Sequence, residues 1–562
     1  MHTKIRRTGR SWATALGPAT LLVFLILGCG EGDEEDIETA SPQGEPVRLL
    51  VLTGAETDTT DVAERLRPVL TGDFRVERLF PEVDPSDDPE RLSQMFLVSA
   101  PDGKHAGEKD WDAAYRVQDE TGFESVEPDA QATLEPATVA SRGSCFRNDL
   151  DAPADHDWSL DIMRVRQAWA LPLPPGGRSK GAGVLVCHPD TGWSEHRDLD
   201  TDGLDLTRGL NLVSGGFDAH DPLDYGGWLQ NPGHGTATGS VIVSREETGL
   251  VNGVAPAATL VPIRATQSVV KVFDSDIAKA VDHAVRSGCD VISMSLGGKG
   301  FFGLESAVRR ARRKNVIVLA AAGNCVRFVV APASYENCLA VAATNREDRP
   351  WRGSSRGRKV DVSAPGEHVW VAHREVAADP DSLIKPGQGT SFAVASTAGV
   401  AALWLAYRGL DRDTYQSSER LQDLFQRLLR DTARRPAHWT SLDGQYGAGV
   451  VNAESLLKRQ FSISLGPGAR IAPETDLEIL ANTVDRPADS LAAVLMDRFS
   501  LAADSLAPFL ERYGSELVQI ALEDPDSFDR YLQESPAVSR RAAVARTALT
   551  SRASQRLGAR MR

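Results

Sequence analysis

Five short and almost continuously apolar runs, separated by longer helix-like stretches, constrain the fold of the middle of this chain. The runs cover residues 184–186, 259–263, 291–294, 316–320 and 339–342. The stretches 274–287 and 303–314 between them have the apolar spacing of amphipathic helices. Strands this apolar are typically buried on both faces, and strand–helix alternation predicts a parallel sheet flanked by helices. The predicted fold class is therefore α/β, in which ligands bind beyond the carboxyl ends of the strands.

Three short segments in this region each place a glycine beside a chemically active side chain. They are Asp190-Thr191-Gly192, His234-Gly235-Thr236 and Gly389-Thr390-Ser391. A serine hydroxyl becomes a good nucleophile only when a neighbouring base, itself oriented by a third group, takes its proton. The chain order Asp, His, Ser is one of the known orders of that arrangement.

These segments resemble the subtilisin-like (subtilase, S8-type) serine proteases, and the resemblance extends over about residues 155–460. Further matches follow in family order at residues 293–298, 320–324, 354–357, 360–366 and 447–452. The resemblance implies that Ser391 is the nucleophile, His234 the general base and Asp190 the group that orients it. It also implies that the side-chain amide of Asn324 stabilises the oxyanion of the tetrahedral intermediate.

Each of these residues also has an ordinary structural interpretation. Ser391 could be a helix N-cap, Asp190 a strand-end turn residue, and Asn324 part of a Gly-Asn turn. His188 lies two residues before Asp190, on the same side of a strand, where it could tune the site or simply pack. The presence of all the segments in one order favours the catalytic interpretation for Asp190, His234, Ser391 and Asn324.

By the same resemblance, a substrate binds as an extended strand through main-chain hydrogen bonds. The residues expected to contact it are Ser295, Leu296, Gly297, Ala322, Gly323 and Val330. Their character indicates a pocket for a medium-sized apolar side chain before the scissile bond. Two departures from the family pattern follow the nucleophile: Phe392 replaces a frequent methionine, and Ala395-Ser396 stand where many members carry Pro-His.

The first 46 residues have the pattern of a targeting segment and a tether. Basic residues precede an apolar stretch that ends at Gly28-Cys29, which is typical of a secretory signal over residues 1–29. Residues 26–29 resemble a bacterial lipobox, which implies that Cys29 is lipidated; an uncleaved anchor or a plain signal peptide are the alternatives. The acidic residues 30–46 are predicted to be a solvated tether. We expect a protein anchored by that lipid to the bacterial cell envelope, or secreted after maturation.

Three further regions flank or precede the predicted catalytic domain of residues 155–460. Residues 47–101 have the pattern of a small α+β domain, which resembles a subtilase propeptide and implies a folding aid and inhibitor; an unrelated accessory domain is the alternative. Residues 102–154 are predicted to be a linker that holds any maturation cut. Residues 461–562 are predicted to be a mainly helical extension. Its last part, 538–562, has seven arginines and no acid, typical of a membrane-surface or partner-binding helix or of a solvated tail.

Cysteine positions allow disulfides in an exported protein. Cys325 and Cys338 flank a loop and form the best candidate pair. Cys187 and Cys289 lie in apolar runs, where small buried thiols are the ordinary expectation. At least one thiol is expected to remain unpaired.

Composition and motifs exclude several classes of function. A net charge of −16 argues against a nucleic-acid partner, and no metal-binding motif is present, so no cofactor is expected for the chemistry. The resemblance makes structural calcium possible, with no ligands identified. The favoured interpretation is an exported serine endopeptidase, made as a zymogen, that acts on proteins or peptides. The alternatives are a catalytically silent envelope lipoprotein that binds peptides or partners and an α/β-hydrolase esterase, which requires Gly-x-Ser-x-Gly and a different residue order.

Overall fold

A small antiparallel sheet with two helices packed on it opens the described part of the chain. The structure is a computed structural model and describes residues 45–105, 107–129, 132–133, 150–199, 201–225, 230–246, 250–442, 444–466, 468, 470–534 and 539–562. The sheet has strand order β2-β3-β1-β4, with β1 (Glu45–Leu52), β2 (Arg75–Arg78), β3 (Met95–Lys104) and β4 (Ser125–Pro128). The helices are α1 (Thr59–Leu66) and α2 (Asp110–Thr121), and a short strand β5 (Ala132–Thr133) follows.

This N-terminal domain is longer than the sequence pattern predicted. The prediction ended the domain at residue 101 and gave residues 102–154 to a linker, but α2 and β4 lie in that range. β4 pairs antiparallel with β1, with Val126 opposite Val51, so it completes the sheet. α2 contains many polar residues, yet Trp111, Tyr115 and Val117 are buried. A short helix with one apolar face and a polar remainder is easily mistaken for a linker. The predicted signal, Cys29 and residues 30–44 of the predicted tether lie outside the described residues, whereas residues 45 and 46 begin β1.

A seven-stranded parallel sheet lies at the centre of the catalytic region, which confirms the predicted α/β class. Its strands are β6 (Leu185–Asp190), β7 (Leu210–Asn211), β8 (Thr259–Arg264), β10 (Val291–Met294), β11 (Ile317–Ala321), β12 (Leu339–Thr344) and β13 (Val362–Pro365), in the order β13-β12-β11-β10-β6-β8-β7. The five apolar runs are β6, β8, β10, β11 and β12. β7, with two residues, is too short to give a clear periodic signal, and β13 was not among the predicted strands.

Helices cover both faces of this sheet. They are α3 (Trp158–Ile162), α4 (Val165–Trp169), α5 (His234–Val243), α6 (Asp274–Arg286), α7 (Phe302–Arg313), α8 (Thr390–Arg408), α9 (Leu421–Thr432) and α10 (Ala453–Lys458). α6 and α7 are the two helices that the sequence predicted. α8 is long and apolar enough to cross a membrane, but 94% of its apolar window is buried, so it is a core helix.

Two further pairs of strands lie beside the catalytic region. The hairpin β14 (Glu367–Ala372) and β15 (Ile384–Gln388) leads into α8. The short strand β9 (Lys271–Val272) pairs antiparallel with β5, so the chain that leaves the N-terminal domain runs along the catalytic domain at this point.

Six helices form the C-terminal region, as predicted. They are α11 (Asp476–Thr483), α12 (Ala488–Phe499), α13 (Leu506–Glu523), α14 (Pro525–Gln533), α15 (Arg540–Arg552) and α16 (Gln555–Met561). α11 begins with a capping box, in which Thr475 and Glu478 satisfy each other's backbone amides. Leu549, Leu557 and Met561 are buried, so the arginine-rich end is packed and is not a solvated tail.

The cysteine pairing differs from the prediction. Cys187 on β6 and Cys289, just before β10, form a disulfide with their Cα atoms 5.8 Å apart, so they are not thiols. Cys325 is also disulfide-bonded, whereas Cys338 is a free buried thiol, so the predicted Cys325–Cys338 pair is wrong. Cys338 lies inside the apolar core and Cys325 on a partly exposed loop. Disulfides require close, aligned Cβ atoms, which closeness in sequence does not guarantee.

Candidate active site

Asp190 is the last residue of β6 and therefore lies at the carboxyl edge of the sheet. Its carboxylate is fully buried, and Oδ1 accepts hydrogen bonds from Nδ1 of His234 and the amide of Thr191, both at 2.7 Å. Burial raises the pKa of Asp190, but the charge and hydrogen bond of His234 outweigh that effect, so the net pKa lies below its ordinary value. An ionised Asp190 therefore directs the Nδ1 proton of His234 toward itself.

His234 is the first residue of α5, and two glycines allow that helix to approach the sheet edge. Gly233 has a φ of +73°, and a Cβ atom there would lie 1.5 Å from the carbonyl oxygen of Arg374. A Cβ atom at Gly235 would lie 2.0 Å from the carbonyl oxygen of Gly192. Glycine is therefore required at both positions. The histidine side chain keeps 16% of its surface exposed, so one side of the ring is accessible.

His188 lies behind Asp190, away from solvent. Its Nδ1 atom is 3.2 Å from the carbonyl oxygen of Ser293, its Nε2 atom is 2.8 Å from Oγ1 of Thr238, and Nε2 is 3.7 Å from Oδ2 of Asp190. A carbonyl can only accept, so in the neutral ring Nδ1 carries the proton. The Thr238 hydroxyl lies between Nε2 and the carbonyl oxygen of His234, to which it donates at 2.9 Å. Burial lowers the pKa of His188, which favours this neutral form. His188 packs beneath the site and has no exposed path to a substrate.

Ser391 lies in the first turn of α8 and is almost fully buried. Its Oγ atom is 3.5 Å from the carbonyl oxygen of Ser295, and Oγ of Ser295 donates to the carbonyl oxygen of Ser391 at 3.1 Å. The ring of the next residue, Phe392, lies 6.4 Å from the ring of His234. α8 therefore brings Ser391 close to the Asp190–His234 pair, whose members lie on β6 and α5. The positive end of the helix dipole also lies here, where it favours negative charge.

Asn324 follows β11 and is held by the residue that precedes Ser391. Its Oδ1 atom accepts from the amide of Thr390 at 2.9 Å and from Oγ1 of Thr390 at 2.8 Å. These donors fix the amide so that Nδ2 faces the open side; a Cβ atom at Gly389 would lie 3.2 Å from Nδ2 and 3.7 Å from Oγ of Ser391. Gly389 thus leaves a space that both Asn324 and Ser391 border. The sequence analysis did not assign the role of Thr390, although this residue lies within the motif.

A small cavity of about 40 Å³ opens beside Ser391 and Asn324. Five of the six predicted substrate-contact residues line it: Ser295, Leu296, Gly297, Gly323 and Val330. The sixth, Ala322, is fully buried, and Ala321 lines the cavity instead. Successive side chains of an extended chain point to opposite sides. A prediction that is wrong by one residue therefore assigns a core-facing side chain, that of Ala322, to the cavity. Val269, Val270 and Val326 also line it and were not predicted.

The wall of this cavity is supported from behind by the C-terminal helices. Val330 and the nearby Phe328 belong to the apolar core that α11–α16 form. Arg327 pairs with Asp529 of α14 at 3.1 Å. The cavity is thus shaped by residues far apart in sequence.

A wider groove of about 580 Å³ lies on the other side of the site, lined by His234, Phe392, Val371 and Lys385 among others. Ser391 lines the small cavity, and its neighbour Phe392 lines the groove together with His234. Within the described ranges, no cluster of three or more His, Cys, Asp or Glu side chains is arranged to hold a metal ion.

Comparisons with known proteins match the part of the chain that contains these residues. The family model described as "Subtilase family" matches residues 181–449. The chain is 34% identical to thermitase of Thermoactinomyces vulgaris over 253 residues, which are 44% of this chain and 81% of thermitase. It is 32% identical to subtilisin Savinase of Lederbergia lenta over 280 residues, 50% of this chain and 92% of that protein. The N-terminal domain and helices α11–α16 lie outside the residues that the family model matches.

Proposed function

The chain belongs to the subtilase family and is a serine endopeptidase, and we propose that it hydrolyses peptide bonds through Asp190, His234 and Ser391. Nε2 of His234 takes the proton of Ser391 as its Oγ attacks the scissile carbonyl, and later gives it to the leaving amine. Asp190 stabilises the imidazolium form through the 2.7 Å contact with Nδ1. That contact, made by a buried carboxylate beside the helix that carries Ser391, is the observation on which the proposal rests.

We propose that Nδ2 of Asn324 and the backbone amide of Ser391 stabilise the oxyanion. The fixed orientation of the Asn324 amide supports this role, because a preorganised donor needs no rearrangement when charge develops. Removing one such donor costs on the order of 100- to 1,000-fold in kcat. The chemistry requires no cofactor. A structural calcium stays a prediction with no ligand assigned.

The triad proposal is tested with a fluorophosphonate probe, which labels an activated serine. Wild-type protein, freed of its N-terminal segment, is expected to be labelled and to cleave casein. Ser391→Ala should abolish both, whereas Ser418→Ala, at an exposed serine outside the site, should leave them unchanged. Absence of labelling in the processed wild-type protein would overturn the proposal and favour the silent-lipoprotein alternative, which the protease relatives do not favour.

We also propose that the N-terminal domain inhibits the enzyme before maturation. The domain packs on α6 and α7: Glu77 pairs with Lys279 of α6 at 2.8 Å, and Glu90 pairs with Arg313 of α7 at 2.7 Å. β5 then pairs with β9, with Thr133 opposite Lys271, and the preceding residues Val269 and Val270 line the cavity beside Ser391. β5 is therefore held beside the segment that contributes Val269 and Val270 to the cavity. This supports a zymogen in which the enzyme's own chain occupies the substrate groove.

Export and lipid anchoring through Cys29 complete the proposal. A cut after residue 133 and before the catalytic domain would separate that domain from any lipid on Cys29. Mass spectrometry of the mature protein tests both points together. An N-terminus at lipidated Cys29 in the precursor and one beyond residue 133 in the active form are expected; an unmodified Cys29 would contradict anchoring, and an active uncut chain would contradict the zymogen.

A further inference from the structure

Helix α2 of the N-terminal domain contacts the C-terminal helices as well as its own sheet. The hydroxyl of Tyr115 donates to Oε2 of Glu516 at 2.8 Å, and Nε1 of Trp111 donates to Oε1 of Gln519 at 2.8 Å. Both partners lie on α13. The N-terminal domain is therefore held from two directions, by α6 and α7 of the catalytic domain and by α13.

Tyr115 is the centre of this contact. It is only 1% exposed, its ring meets the ring of Tyr513 edge-to-face at 5.5 Å, and the guanidinium of Arg512 lies 4.6 Å from the ring centre. Its partner Glu516 also accepts from the backbone amide of Ser554 at 2.5 Å and from its hydroxyl at 3.0 Å, at the start of α16. One buried carboxylate thus joins α2, α13 and α16, and each of its oxygens has a donor.

Opposite charges on the N-terminal domain and the C-terminal helices add surface ion pairs to this buried contact. Residues 45–129 contain 21 acidic and nine basic residues, a net charge of −12, whereas residues 538–562 contain seven arginines and no acid. Asp119 on α2 pairs with Arg512 at 2.7 Å and also with Arg556. Asp112 accepts from the amide of Gln555 at 2.8 Å. Arg556 thus joins the arginine-rich end of the chain to the acidic N-terminal domain, whereas Arg552 pairs with Glu523 of α13.

The same helices are fastened to the catalytic domain by independent contacts. Glu523 pairs with Lys299 at 3.3 Å, and Asp529 pairs with Arg327 at 3.1 Å. Phe328 and Val330 enter the apolar core of the C-terminal region. The C-terminal helices therefore bridge the catalytic and N-terminal domains without using the connecting chain after Thr133.

We propose that helices α11–α16 are a clamp that retains the N-terminal domain on the enzyme after the connecting chain is cut. Processing alone then yields a latent complex, and activity requires that the clamp be displaced or removed. The covalent link keeps the N-terminal domain at a high effective concentration near the catalytic domain, and a cut removes that link. A second binding surface, on the C-terminal helices, keeps the domain close after the cut. The expected effect of the clamp on activity rests on the proposed inhibitory role of the N-terminal domain. Retention of the N-terminal domain does not depend on that role.

Retention can be measured in the full chain without self-digestion. In a Ser391→Ala background, a site for an unrelated specific protease is inserted between residues 134 and 144, ahead of Cys145. After cutting, release of the N-terminal fragment is followed by size-exclusion chromatography. The wild-type contact should retain the fragment. Asp119→Arg loses two ion pairs and gains like-charge repulsion, so release should be at least about tenfold faster.

Two matched variants make the test specific. Glu64→Arg makes the same charge change at an exposed position on α1, outside the contact, and should release no faster than wild type. Adding Arg512→Glu and Arg556→Glu to Asp119→Arg restores opposite charges and should slow release again. Equal release from Asp119→Arg and Glu64→Arg, or a reversal that does not slow release, would overturn the clamp.

Activity in chains with an intact Ser391 separates the clamp from the inhibitory role. The delay between cutting and hydrolysis of a peptide substrate should be at least about tenfold shorter for Asp119→Arg than for wild type. A cut wild-type complex that retains its fragment yet is fully active would overturn the inhibitory role while leaving retention in place. Fast release from the wild-type complex would overturn the clamp alone.

Discussion

The backbone amide of Gly235 donates a 3.0 Å hydrogen bond to Oγ1 of Thr191. This bond joins the segment that carries His234 to the segment that carries Asp190, and Gly235 lies so close to Gly192 that no side chain fits between them. The two motifs are therefore in direct contact through the residues next to the catalytic candidates. The spacing of the proposed triad depends on this contact as much as on the triad residues.

Gly235→Ala should disrupt this contact, because its Cβ atom would lie 2.0 Å from a backbone oxygen. We expect a fall in kcat/KM of about 100-fold from misplacement of His234 and a loss of about 1–3 kcal/mol in the free energy of unfolding. Gly215→Ala is the control, since Gly215 has a φ of +83° but no atom near its Cβ position. It should lower stability by about 1–2 kcal/mol without changing kcat/KM. Wild-type kcat/KM in Gly235→Ala would contradict the prediction.

Asn324→Ala should lower kcat by about 100- to 1,000-fold with little change in KM, because the amide contacts the oxyanion only in the transition state. Thr390→Val removes the hydroxyl that donates to Oδ1 at 2.8 Å but keeps the backbone donor. Its effect should be about fivefold, the equivalent of one neutral hydrogen bond of about 1 kcal/mol. Steady-state kinetics on one peptide measures both. Equal losses in the two variants would show that Asn324 acts through packing.

Stability should fall in acid partly because of His188. Burial lowers its folded pKa below the ordinary value of 6.5, with the opposing charge of Asp190 too small to reverse the shift. As the pH falls below about 6.5, His188 becomes protonated in the unfolded chain but stays neutral in the folded chain. The free energy of unfolding therefore decreases. Uptake of one proton on unfolding changes the free energy of unfolding by up to about 1.4 kcal/mol per pH unit.

His188→Gln in a Ser391→Ala background should therefore show a smaller decrease in stability between pH 6.5 and 5. Urea unfolding at several pH values measures the slope. Burial also lowers the pKa of His196 and His283, so part of the slope should persist in the variant. A slope identical to that of the Ser391→Ala parent would mean that His188 does not titrate on unfolding in this range.

The Cys187–Cys289 disulfide closes a loop with a sequence separation of 102 residues. Replacing both cysteines with serine should lower the free energy of unfolding by about 2–5 kcal/mol. Thiol titration of the denatured, unreduced protein should detect Cys338 and should not detect Cys187 or Cys289. Peptide mapping that finds either of these two alkylated would contradict the disulfide.

Val330→Ala should widen the cavity beside Ser391. Removing two methyl groups from a space of about 40 Å³ should favour larger side chains before the scissile bond. We expect the ratio of kcat/KM for phenylalanine to that for alanine at that position to rise about tenfold. Val544→Ala, at an exposed valine of α15, is the control and should leave the ratio unchanged. A constant ratio in Val330→Ala would remove this residue from the specificity pocket.

The strands and helices of the catalytic domain were predictable because their signals are local. Five strands of the central sheet are buried on both faces: β6, β8, β10, β11 and β12. Their residues are therefore apolar regardless of which strand lies next to them. The predicted helices α6 and α7 alternate with them. By contrast, α2 and β4 were assigned to a linker, because polar residues interrupt their apolar pattern, although five residues of α2 and three of β4 are buried.

The residues of the candidate site were identified by their motifs, but their partners were not. Ala322 was expected in the cavity and is buried. Val269 lines the cavity without a motif of its own, and Thr390 lies within a motif but had been given no role. Cys325 was paired with Cys338 because the two are close in sequence. The structure instead joins Cys187 on β6 to Cys289, which lies just before the neighbouring strand β10.

The sequence by itself determined the α/β class and which residues could do the chemistry, because periodicity and glycine-flanked motifs act over a few residues. Only the tertiary structure decided which cysteines pair, where the N-terminal domain ends, and that Tyr115 meets Glu516 from 401 positions away along the chain. Such contacts depend on how whole elements pack, and a short stretch of sequence carries no information about its distant partner.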